Sequence, residues 1–152
     1  PIEIIKIGAE RLEGSPAPNL FLPMLSGEHF DLAQQKGKVV VLGFWATWSG
    51  PSIRNLPQLL EATSEFNSSE LKLVSVNQDA SREELLEFIN QYDMHELSVL
   101  LDQNSSAYDA FDVKGLPHTV VIDQVGVVHD VAVGFSPFQG SDLKRMLTKL
   151  IK

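Results

Sequence analysis

The run KVVVLGFW, residues 38–45, constrains this chain more than any other feature. It is apolar almost without a break, too short to span a membrane and too uniform for a strand with one wet face. It predicts a strand buried on both sides, central in a sheet covered by helices. After the linking residues ATWSGPS, Ile53, Leu56, Leu59, Leu60 and Phe66 recur at helical spacing, with Pro57 inside the pattern predicting a kink.

The flanking segments complete an alternating pattern. Residues 1–18 read as an extended lead-in. Ser26-Gly27 then forms a turn between two short extended pieces, and Asp31 caps one helical turn that ends at Gly37. LKLVSVN, residues 71–77, is a strand. Ser81 and Glu84 have capping-box spacing ahead of a stripe of Leu85, Phe88, Ile89 and Tyr92. LSVLLD reads as a short strand, and Asn104 as the cap of a helix running through Phe111. HTVVIDQVGVVHDVAVGF reads as two strands joined by a turn at Gln124 to Gly126. Ser141 is expected to cap a last helix with Leu143, Met146, Leu147, Leu150 and Ile151 on its inner face. The order implies an α/β fold, a single domain over residues 1–152, whose central sheet is mixed: parallel early, antiparallel in the late hairpin.

Composition narrows the function. The net charge is −8, so nucleic acid and anionic lipid are disfavoured as partners. There is no cysteine, which excludes disulfides and thiolate metal sites within this chain. His29, His95, His118 and His129 lack ligand spacing with carboxylates, so no metal or other cofactor is expected. The first residues lack a basic region followed by an apolar core, and no signal peptide is expected in them.

Chemistry concentrates at Trp48-Ser49-Gly50-Pro51-Ser52. Were Ser49 and Ser52 cysteines, the first would sit at a helix start, where free N–H groups and the macrodipole favour a thiolate. The second, one helical turn on, could attack a mixed disulfide and release its product. Gly50 and Pro51 shape the turn and begin the helix. Two serines there also read simply as helix caps. A hydroxyl is a far weaker acid and forms no reversible bond of the disulfide kind.

KGKVVVLGFWATWSGPSIRNLPQL resembles the TlpA/ResA branch of the thioredoxin-like thiol-disulfide oxidoreductases, which carry W-C-x-x-C where this chain has WSGPS. APNLFLPMLSGEHFDLAQQKGK resembles that family's N-terminal hairpin, SREELLEFINQYDM its inserted helix, and LLDQNSSAYDAFDVKGLPHTVVIDQVGVV its proline loop and following hairpin. The resemblance implies a thioredoxin-like fold with Ser49 and Ser52 at the two catalytic positions. It implies a cis Leu116-Pro117 bond, against the alternative of a trans turn, and a substrate edge made of Trp48, Gly50, Pro51, Leu116, Pro117 and His118. It further implies protein or peptide substrates bearing thiols or disulfides, a membrane or periplasmic redox partner, and an extracytoplasmic protein whose precursor is membrane-anchored.

The chain departs from the family at several points. Gly43 stands where thioredoxins proper keep a buried acid. His118 follows Pro117 where a small or acidic residue is usual; it reads as a surface histidine at a strand start, or as a group that tunes a thiol or touches a partner. Asp79 reads as a solvated turn aspartate, one position from an assisting acid of ResA-like proteins. Peroxiredoxin chemistry is disfavoured, because Gly50 and not a cysteine position lies three residues after Thr47. Two functions stay open. One is an oxidoreductase present in an inactive cysteine-to-serine form, favoured because one substitution pair explains the sequence. The other is a natural redox-silent domain that binds extended peptides.

Overall fold

In the computed structural model, which describes residues 12–136 and 139–151, the central run becomes β3, Val39–Trp45, buried at every position. It pairs in parallel with β4, Leu71–Asn77, and antiparallel with β6, His118–Ile122. β5, Val99–Leu101, extends the parallel side and β7, Val128–Val133, the antiparallel side, giving the order β5-β4-β3-β6-β7. The expected mixed sheet is therefore present. A separate hairpin, β1 (Phe21–Pro23) and β2 (His29–Asp31), turns around Ser26-Gly27, where Gly27 adopts a φ of 100°. Most of the expected lead-in, residues 1–11, lies outside the described residues.

Alternation along β3 feeds two cores. Val39 and Val41 pack with Leu59 and Ala62 of α1 (Gly50–Thr63) and with Leu143 and Leu147 of α4 (Gln139–Ile151). Val40, Leu42 and Phe44 face the other way, onto Leu22 and Phe30 of the hairpin and Ala107, Tyr108 and Phe111 around α3 (Ser106–Ala110). Trp45 joins Leu56 to the stripe of α2 (Arg82–Gln91). Each fully buried side chain of this size contributes roughly 1.5–3 kcal/mol. Gly43 marks a close approach of α1 to the sheet: a Cβ there would lie 2.6 Å from Leu59 Cδ1.

Local signals act largely as expected. Asp31 accepts a hydrogen bond from Ala33 N–H at 3.1 Å and starts a single 3₁₀ turn, Leu32–Gln35. The Ser81–Glu84 capping box is complete. α1 runs on through Pro57, which faces solvent, where a missing backbone donor is least costly.

Three expectations are corrected. Asn104 does not cap α3. Asp102, fully buried at the end of β5, instead accepts from Ala107 N–H at 3.0 Å and Tyr108 N–H at 2.9 Å, and one carboxylate serving two donors displaces a cap from the adjoining loop. Ser141 does not cap α4, because the helix already begins at Gln139 and a cap must sit outside the helical turn. Tyr92 leaves the buried stripe of α2. It is 44% exposed at the helix end, its ring 4.6 Å from that of Phe88. Among the described residues no helix is long and apolar enough to cross a membrane.

Candidate active site

Between the end of β3 at Trp45 and the start of α1 at Gly50 the chain turns sharply, and Ser49 becomes the helix N-cap. Its Oγ accepts from Ser52 N–H at 3.3 Å, satisfying one of the donors a helix start leaves free. Pro51 occupies the first turn, and no acidic residue stands there to oppose an anion. Ser49 is 6% exposed and Ser52 is fully buried. Ser52 Oγ has no hydrogen-bond partner among the described residues. A buried hydroxyl left so costs about 1–3 kcal/mol, whereas a thiol, a weak donor, behaves there as a small apolar group. Beside these two buried serines, Gly50 and Pro51 are exposed and Trp48 is 74% exposed.

Sheet register brings a second loop to the same end. Phe44 pairs with His118, and β6 runs antiparallel to β3, so Leu116-Pro117 lies where β3 gives way to the serine turn. The Leu116–Pro117 bond is cis. Pro117 is buried, and its carbonyl accepts from Gly134 N–H at 2.8 Å. Leu116 is half-buried against the core that contains Phe44.

His118 differs from the surface histidine expected. It is 1% exposed, because β6 lies between β3 and β7 and turns this residue onto Phe44, ring to ring at 5.5 Å and nearly perpendicular. Neither ring nitrogen has a hydrogen-bond partner among the described residues. Burial pushes its pKa down to about 4, against the charge of Asp112, which pulls the other way. The imidazole is neutral at pH 7 and lies beneath the proline loop, not on its surface.

The end of β3 is held by polar groups whose roles the sequence did not announce. Tyr108 OH donates to the Trp45 carbonyl at 2.8 Å, and Asn77 Nδ2 reaches the same oxygen at 3.4 Å. Burial first, then the charges of Asp79 and Asp102, holds the Tyr108 hydroxyl well above its ordinary range. Thr47 Oγ1 donates to Asp79 Oδ2 at 2.9 Å, so Asp79 is exposed yet tied to the turn. On the opposite side, Asn55 Nδ2 donates to Thr119 Oγ1 at 3.4 Å and links α1 to β6. The signal for Asn55 was present: a polar residue falling on the apolar face of a helix, next to Leu56.

A profile of the AhpC/TSA family matches residues 14–131. The chain belongs to the AhpC/TSA family. Within the family it is 35% identical over 122 residues to the thiol-disulfide oxidoreductase ResA of Bacillus subtilis (strain 168), covering 80% of this chain and 68% of ResA. It is 34% identical over 125 residues to the thioredoxin-like protein YneN of the same organism, covering 80% of this chain and 72% of that one. A crystal structure assigned to a thiol:disulfide interchange protein DsbE from Chlorobium tepidum superposes with a TM-score of 0.83 at 29% identity, covering 92% of this chain and 98% of that one. The resemblance to ResA-type proteins and the thioredoxin-like fold are both borne out. This AhpC/TSA member has no cysteine.

Proposed function

We propose that this chain is the scaffold of a thiol-disulfide oxidoreductase in which Ser49 and Ser52 occupy the two reactive positions. The observation that carries this reading is the fully buried Ser52 Oγ, which has no partner among the described residues, in a slot that suits sulfur better than oxygen. With sulfur at both positions, the thiolate at 49 attacks a client disulfide, forming a mixed disulfide and releasing one client thiolate. The thiolate at 52 then attacks the sulfur at 49, closing an internal disulfide and releasing the second client thiolate. The client gains two electrons and the site loses two.

Trp48, Gly50, Pro51, Leu116 and Pro117 form the edge that receives the client, while His118 supports the loop from below. The clients are proteins or peptides with thiols or disulfides in extended segments. Working as ResA-type relatives suggest, the protein lies outside the cytoplasm, anchored through its precursor, and exchanges electrons with a membrane or periplasmic partner. The test is oxidation of the Ser49→Cys, Ser52→Cys variant. It should lose both free thiols as monomer, with the mass falling by two hydrogens; thiols that stay free would refute the reading.

A second reading rests on Trp48, 74% exposed beside the serine turn. In the cysteine-free chain this edge binds extended peptides without turnover. Binding of a cysteine-free peptide that is lost in Trp48→Ala supports it, and indifference to that change counts against it.

A further inference from the structure

One cation stands over the turn that carries the reactive positions. Arg54 is exposed, yet its guanidinium is placed: its carbon lies 5.3 Å from the centre of the Phe135 ring. Its Nη1 also reaches Gly50, the residue following Ser49, so closely that a Cβ on Gly50 would lie 3.3 Å from it. Phe135 follows β7, so the cation bridges the start of α1 and the end of the hairpin. No carboxylate pairs with Arg54 among the described residues, although the chain carries a net charge of −8. The acidic group placed beside the serine turn, Asp79, already accepts a bond from Thr47.

We propose that Arg54, held on Phe135 above Gly50, selects clients that carry a carboxylate beside the reacting cysteine. The argument is geometric. A guanidinium resting over an aromatic ring has lost much of its side-chain freedom, and it holds a fixed positive charge beside the turn where a client carboxylate can meet it. An acidic surface otherwise repels such a segment, so one unpaired cation at the mouth dominates the local choice. The occupant is an acidic extended peptide. Gly50 leaves the guanidinium room to lie over the turn, which a larger residue would contest.

This inference rests on the oxidoreductase reading, and one experiment separates their failures. The Ser49→Cys variant, at a pH where its thiol is fully ionised, is mixed at low ionic strength with three small disulfides: one bearing carboxylates, one neutral, one bearing amines. In each reaction the thiolate attacks one sulfur, a mixed disulfide forms, and the other half leaves as a thiolate. The expected order of rates is anionic over neutral over cationic. Adding Arg54→Gln should lower the anionic-to-neutral ratio about five-fold, Arg54→Lys should retain most of it, and high salt should erase the difference. Ratios indifferent to Arg54→Gln, or equal slowing of all three probes, would overturn the inference. A neutral-probe rate no faster than a free thiol of equal pKa would instead overturn the oxidoreductase reading, with the charge ratios still readable.

Discussion

Ser49 Oγ accepts a hydrogen bond from the backbone N–H of Ser52 at 3.3 Å, while the hydroxyl of Ser52, fully buried one helical turn on, has no partner among the described residues. One position works as an ordinary helix cap. The other holds a buried hydroxyl in a slot that suits sulfur better, and the proposal that these are two cysteine positions rests on that asymmetry.

The stability of variants at position 52 follows from it. Ser52→Cys and Ser52→Ala should each stabilise the chain by about 1 kcal/mol, since each removes a buried hydroxyl without a partner. Urea unfolding checks this, with unchanged slope and a raised midpoint expected. A clear loss of stability in both variants would mean the hydroxyl is satisfied after all.

His118 gives a pH dependence with a definite sign. Burial lowers its folded pKa to about 4 from 6.5, so the unfolded chain binds the proton first. Its contribution is fully present above about pH 6.5 and is lost as pH falls towards 4, up to about 3 kcal/mol. Asp130 works oppositely. Burial, its hydrogen bond with Glu13 and the Glu13 charge raise its pKa to about 6, so it gains stability as pH falls through that value. The clean readout is therefore the difference between parent and His118→Leu, which should change between pH 6.5 and 4 and be flat above.

Asp102 should be among the costliest single truncations. Asp102→Ala leaves the N–H groups of Ala107 and Tyr108 without their acceptor inside the protein and should destabilise by about 2–4 kcal/mol. Chemical denaturation measures it. Asn104→Ala, by contrast, should stay within about 0.5 kcal/mol of the parent.

Gly43 tests the tight packing of α1 on the sheet. Gly43→Ala places a methyl 2.6 Å from Leu59 Cδ1 and should cost about 1–3 kcal/mol. Adding Leu59→Val, which withdraws carbon from the contact, should recover part of the loss in the same unfolding assay.

What could be read from sequence was whatever depends on near neighbours. The run 38–45, the Ser81–Glu84 box and the turn before β7 are each decided within a few residues, and each formed. Asp102 displaced Asn104 because its buried carboxylate already takes the N–H groups of Ala107 and Tyr108, a pairing that spans the loop between them. A histidine at a strand start is usually exposed; the burial of His118 depends on β6 being an interior strand, a property of sheet order. Arg54 and Phe135 lie far apart in sequence, and only the fold brings the cation over the ring. Ser49 and Ser52 were found by their spacing. The mismatch at Ser52 became visible only with its burial.

The most direct measurement is turnover by the Ser49→Cys, Ser52→Cys variant: the rate at which it reduces a protein disulfide with a small dithiol as electron source. The account predicts reduction well above that by the dithiol alone, with the parent chain adding nothing. A variant that folds yet gives no acceleration would contradict it.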